Sequence, residues 1–195
     1  SIPFLVKTAE LVLQQHRVDR FDLIGHSMGG LTALLLANSA PERVLHFINI
    51  EGNVAPEDCF LSRQILDYPE LDAHAFMQRF IDRVSASRYY GSALYASTLA
   101  FKVRAESVYP IFSSMVDLSD NGGLLDHFLA LPMPRCLMYG EQNASLSYLP
   151  EIRKNQGVEL VEIPKSGHFP MYSNPVAMWK HISRLLTSWR VSHSP

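Results

Sequence analysis

Ser27 and His168 are the two residues whose settings could do chemistry. Ser27 is the centre of Gly25-His26-Ser27-Met28-Gly29, between the apolar run Phe21-Asp22-Leu23-Ile24 and a helix-like run from Gly30 to Ala37. A strand that reverses sharply into a helix needs residues without bulk on both sides of the bend. Gly25 and Gly29 are read as supplying that room, with the Ser27 hydroxyl exposed at the apex. His168 lies in Pro164-Lys165-Ser166-Gly167-His168-Phe169-Pro170, after the strand-like Val158-Glu159-Leu160-Val161-Glu162-Ile163 and before a helix from about Asn174 to Trp189. A serine hydroxyl is a weak nucleophile unless a base removes its proton during attack, and imidazole titrates in the right range for that. A carboxylate behind the imidazole fixes its tautomer and stabilises the imidazolium. The serine pattern alone arises by chance in roughly one chain in fifteen of this size. Its place between strand and helix, with a histidine loop downstream in the expected order, gives it weight.

The elements that must position these groups follow from hydrophobic patterning. Strands are predicted at about 21–25, 44–50, 135–140 and 158–163, and helices at about 3–16, 28–39, 147–155 and 174–189. Alternating strands and helices imply an α/β fold with a parallel sheet and flanking helices. Between Ala55 and Leu131 the alternation stops. There, helical patterns carry many aromatic residues, with Pro69 and Pro110 as breaks and Asp120-Asn121-Gly122-Gly123 as a turn. Residues 56–130 are read as an inserted helical lid over the rim of the sheet, and 1–55 with 131–195 as the core. Phe60, Phe76, Met77, Phe80 and Met115 are assigned to packing, and His74, His127 and His181 to surface or packing positions.

Composition narrows the function classes. The 195 residues are 47% hydrophobic with a formal net charge of −2, an ordinary balance with enough apolar material for one core. No basic block or basic helix face marks a nucleic-acid partner, and no apolar run reaches the ~18–20 residues of a membrane span. Two cysteines, Cys59 and Cys136, have no metal-ligand spacing and are read as free thiols, which favours a reducing, cytoplasmic compartment. No metal or cofactor is expected.

Gly25-His26-Ser27-Met28-Gly29-Gly30 and Ser166-Gly167-His168-Phe169-Pro170 together resemble the elbow and histidine loop of the α/β-hydrolase fold family, in its esterase, lipase and haloalkane-dehalogenase-like group. The resemblance implies Ser27 as nucleophile, His168 as general base and the Met28 backbone N–H as one oxyanion donor, with His26 shaping the pocket or the elbow packing. The expected activity is hydrolysis of a small or medium apolar carboxylic ester through an acyl-enzyme on Ser27. The same machinery also suits a carbon–carbon bond, an amide or a lactone. An inactive relative that binds ligands is a third reading.

The acid is open at this stage. The family usually places it after the penultimate strand, where this chain reads Gly140-Glu141-Gln142-Asn143, with an amide in the carboxylate position. Glu141 is a nearby alternative. Glu51 is favoured, because it directly follows the strand 44–50 and is followed by Gly52-Asn53, at the rim where open parallel sheets bind ligands. The resemblance further implies four strands before the elbow strand, whereas only about twenty residues precede it here. An unpaired edge is therefore expected at that strand, completed by a missing portion, a partner chain or a second copy in a homodimer. The chain alone is expected not to be a competent monomeric esterase.

Overall fold

The computed structural model describes residues 1–67 and 72–192; Pro69, expected as a break, lies outside the described residues. Four parallel strands form one sheet in the order β1 (Phe21–His26), β2 (Val44–Ile50), β3 (Arg135–Gly140) and β4 (Val158–Ile163). Their bounds agree with the predicted runs to within a residue. Every residue of β3 is buried, and β2 is nearly so, as expected for strands covered on both faces. Among the described residues β1 and β4 are the outer strands, and Ile24 of β1 is 42% exposed.

The two-residue period of the strands sorts the core into two layers. Phe47, Leu137 and Tyr139 face one layer, with Leu31 and Leu34 of α2 (Met28–Ser39) and Ile2 of α1 (Ile2–Gln15). Ile48, Ile50, Cys136 and Met138 face the other, against Met178, Ile182 and Leu185 on the long C-terminal helix Pro175–Ser192. Helix α2 buries leucine and alanine on several sides, because it lies between the sheet and neighbouring helices.

Among the described residues, two 3₁₀ turns (Pro56–Phe60 and Ser62–Asp67) and four helices run between β2 and β3: α3 (Ala73–Ser85), α4 (Ser92–Lys102), α5 (Ala105–Asn121) and α6 (Leu124–Ala130). Phe76, Met77, Phe80, Leu99 and Val108 give α3–α5 a core of their own. Met115, Leu124 and Phe128 belong to the layer beside the sheet. After β3 the described residues also form the helices α7 (Leu149–Lys154), α8 (Pro170–Ser173) and α9 (Pro175–Ser192). The break expected at Pro110 does not occur, since α5 runs through it. An interior proline costs about 3 kcal/mol, and burial of Val108, Met115 and Val116 on either side of it offsets that cost. Among the described residues no helix is long and apolar enough to cross a membrane.

Of the two glycines expected to make room at the β1–α2 bend, Gly25 does so and Gly29 does not. A Cβ on Gly25 would lie 2.4 Å from the Gly29 carbonyl oxygen, so this position has no room for one. A Cβ on Gly29 would meet nothing within 4 Å. Gly30, outside the pentapeptide, is the second crowded position: a Cβ there would fall 2.6 Å from Asn49 Oδ1 and 2.7 Å from Gly52 Cα. The amide of Asn49 is fully buried and accepts the Gly52 N–H at 2.8 Å, so it cannot easily move aside. Gly30→Ala should therefore lower unfolding free energy by about 1–3 kcal/mol, whereas Gly29→Ala should be neutral or stabilising by up to about 1 kcal/mol. Urea denaturation of both variants checks this, and equal effects would contradict it.

Candidate active site

Ser27, Glu51 and Lys165 each adopt a positive φ, at 52°, 51° and 52°, within two residues of the ends of β1, β2 and β4. Such a conformation in a residue other than glycine costs on the order of 1–3 kcal/mol and persists only where the surroundings enforce it. For Ser27 the enforcement is visible. Its N–H donates to the Ile50 carbonyl at 3.0 Å, and its own carbonyl accepts the N–H groups of Gly30 and Leu31, which opens α2. Met28 is the first residue of that helix, where N–H groups have no partner within the helix. Glu51 is fixed in the same way, its N–H donating to Met138 O at 2.9 Å.

These bends bring three side chains into line. The Ser27 hydroxyl lies 2.9 Å from His168 Nε2, and His168 Nδ1 lies 3.3 Å from Glu51 Oε2. With a carboxylate opposite Nδ1, the proton of the neutral ring sits there, and Nε2 is left to accept from the serine. The side chains of His168 and Glu51 are only 7% and 4% exposed, so little water competes for these bonds. Glu51 Oε1 also accepts the Gly140 N–H at 2.6 Å, and Oε2 accepts the Asn143 amide at 2.8 Å.

The other acid candidates lie differently. Asn143 touches Glu51 rather than His168, acting as a donor to the carboxylate. Glu141 turns to the backbone of the histidine loop, where it accepts the Lys165 N–H at 2.7 Å. His26 is tied to the same loop, since its Nε2–H donates to the His168 carbonyl at 2.7 Å. Burial, reinforced by the neighbouring His168, pushes the His26 pKa down to about 3, so its ring is neutral at ordinary pH. His74 pairs with Glu106 on the surface, His127 is exposed, and His181 is part of α9; none of the three approaches Ser27.

A cavity of about 250 Å³ opens beside Ser27, His26 and Met28, small for a ligand pocket. Its walls are mostly apolar, with Met77, Phe80, Leu99, Ile111, Phe112 and Met115 among them. Helical spacing identified Met77, Phe80 and Met115 as buried, which they are, but it does not tell whether a buried face meets another side chain or a void. Phe76 is core alone. Phe60, expected in the core, is 44% exposed and sets its ring edge-on to His168 at 5.0 Å. Among the described residues no group of three His, Cys, Asp or Glu side chains could hold a metal ion.

Asp58 was not singled out from the sequence, although Pro56-Glu57-Asp58 carries the proline and acids of a helix start. It lines the cavity and accepts the N–H groups of Val54 and Ala55 at 2.8 and 2.9 Å and the Tyr148 hydroxyl at 2.8 Å. Burial pushes its pKa up to about 6; the three hydrogen bonds pull it back and the charge of Glu51 adds to the rise. Burial and Asp58 in turn drive the Tyr148 phenol upward. The folded state therefore binds the Asp58 proton more tightly than the unfolded chain. The resulting stability is fully present below pH 3.8 and is lost as pH rises through about 6. His26 acts in the opposite sense, its stability being lost as pH falls from 6.5 through about 3. The Asp58 contribution is consequently read as a difference. Between pH 4 and 7 the melting temperature of Asp58→Asn should rise relative to that of the wild type; parallel curves would contradict this.

Residues 4–180 match the sequence model of the Alpha/beta hydrolase family. The pimeloyl-[acyl-carrier protein] methyl ester esterase of Aeromonas salmonicida (strain A449) is 29% identical over 195 residues, covering 90% of this chain and 72% of that protein. A solved structure from work on carboxylesterases of the thaumarchaeon Nitrososphaera gargenis superposes with a TM-score of 0.78 at 14% identity, over 98% of this chain and 74% of the other. The enol-lactonase of Burkholderia xenovorans LB400 gives 0.66 at 16% identity, over 96% and 73%. At such identities the structural likeness speaks for the fold, and the family match extends over nearly the whole sequence. The chain belongs to the alpha/beta hydrolase family.

Proposed function

We propose that this hydrolase cleaves a small or medium apolar carboxylic ester through an acyl-enzyme on Ser27. The observation that carries the reading is the unbroken hydrogen-bonded line from Glu51 through His168 to the Ser27 hydroxyl. In the first step His168 Nε2 takes the Ser27 proton as Oγ bonds to the ester carbonyl carbon. Glu51 steadies the imidazolium that results, and the Met28 N–H donates to the oxyanion. Collapse breaks the bond to the alcohol oxygen, which receives the proton from His168. Water, activated by the same imidazole, then releases the acid and restores the serine.

The substrate class follows from the cavity. Its modest volume and apolar walls suit a short acyl group, and Ser27 and His168 form part of its lining. Residues 56–130 serve as a lid in this reading, since α3, α4 and α5 supply most of the apolar wall. The esterase identity of the Aeromonas relative is consistent with carboxylic ester chemistry. Asn143 at the usual acid position does not weaken the proposal, because it supports a carboxylate arriving from β2.

Hydrolysis of p-nitrophenyl esters of increasing chain length tests the assignment. Ser27→Ala should abolish turnover, and Glu51→Gln should lower kcat by about 10⁴-fold, the loss known when a triad carboxylate becomes an amide. Asn143→Ala should lower kcat far less than Glu51→Gln does. Unchanged turnover in Glu51→Gln would remove Glu51 from the mechanism, and full activity in Ser27→Ala would overturn the reading.

A further inference from the structure

Helix α4 has two faces of different character. Its inner face buries Ser92, Ala96 and Leu99, and Tyr95 and Leu99 form part of the cavity wall. The Tyr95 ring stacks on Phe169 with centroids 4.2 Å apart. Its outer face carries Ala93, Leu94, Ser97, Ala100 and Phe101, all exposed. At the helical turn of about 100° per residue they span an arc of about 120° without a charge. The Ser97 hydroxyl is already used, donating to the Leu94 carbonyl at 2.8 Å, so the arc offers little polarity.

Phe101 is 89% exposed and Leu94 53%. Tyr89 and Tyr90 just before the helix, Val103 just after it and Tyr109 on α5 are also substantially exposed. Isolated exposed apolar residues are normal in proteins, but a run of them on one helix face is not. Along the chain, the charged residues nearest this face are basic, with Asp82 before them and Glu106 after them. From residue 83 to residue 105 there is no Asp or Glu, although the whole chain has a net charge of −2. Arg88 lies before α4, Lys102 at its last turn and Arg104 just beyond, all exposed.

We propose that the outer face of α4 docks on an anionic lipid surface. Phe101 and Leu94 enter the boundary between headgroups and acyl chains, the Tyr89 and Tyr90 rings lie at headgroup level, and the flanking cations meet the lipid charge. A lipid surface suits this face better than an acidic protein does. Its arc is convex, built on small residues around one protruding ring, and lacks the donors and acceptors that fix a protein partner's register. Docking places the outside of a cavity wall against lipid, because the inner side of the same helix lines the cavity.

Flotation with vesicles tests the proposal without using catalysis, so it stands or falls separately from the hydrolytic reading. Vesicles of phosphatidylcholine with about 30% phosphatidylglycerol should carry the protein at low salt, whereas phosphatidylcholine alone should not. Salt should weaken the association. Phe101→Ser should reduce binding about tenfold, and the double variant Lys102→Glu, Arg104→Glu should abolish it, both with wild-type circular dichroism and melting temperature. Ser27→Ala should float like the wild type. The proposal is overturned if the wild type stays unbound at low salt, or if the folded variants bind as it does. It is equally overturned if Phe101→Ser instead dissolves a dimer, or if the face binds polyglutamate but not vesicles.

Discussion

A parallel sheet ends all its strands in the same direction, and that is the constraint on which the site depends. Ser27 and Glu51 follow adjacent strands, while Gly140 ends the next and His168 is carried by the loop after β4. Residues up to 141 positions apart in sequence thereby meet on one rim. The line of hydrogen bonds from carboxylate to imidazole to hydroxyl crosses those strand ends. It holds only while their register holds. The positive φ angles of Ser27 and Glu51 show that the backbone bears strain there, which the buried hydrogen bonds and packing of the strands support. The crowded contact of Gly30 with Asn49 and Gly52 belongs to the same arrangement, since it fixes the start of α2 against the end of β2.

Much of this was legible in the sequence. The runs 44–50, 135–140 and 158–163 became strands with those bounds, because short β-rich stretches between turn formers suit a sheet. Strands β2 and β3 are covered on both faces, while β4, with Glu159 and Glu162 between its apolar residues, is a half-exposed outer strand. The elbow and the histidine loop were legible for a different reason: their chemistry demands particular residue types at a bend. Glycine content alone was less informative. It suggested Gly29 as a spacer, whereas the tight approach involves Gly30, and only the position of Asn49 on the next strand reveals why. Pro110 was misleading because helix propensity is a local preference that packing overrode along α5. For the carboxylate the sequence favoured Glu51 but left Asn143 and Glu141 open. Glu51, Asn143 and Glu141 all follow strands and could all face the rim. Only the fold shows that Asn143 donates to Glu51 and that Glu141 is engaged with the loop backbone.

The helical segment between β2 and β3 connects these levels. Its inner faces line the cavity beside Ser27, and its own core of Phe76, Phe80 and Val108 keeps those faces in place. Asp58 ties the first turn of the segment to Tyr148, just before α7, through a part-buried hydrogen bond. The segment is therefore anchored close to the site at one end, and α4 remains exposed on its outer side. An apolar cavity beside Ser27 beneath a helix with an apolar outer face makes one physical picture with the proposed ester chemistry.

The most direct test of the account is the site and rate of labelling by a fluorophosphonate, which bonds only to a serine whose proton can be removed. The account predicts a single rapid adduct, mapped by mass spectrometry to Ser27, with labelling reduced by several orders of magnitude in a folded His168→Ala variant. An adduct on another serine, or equally fast labelling of Ser27 without His168, would contradict it.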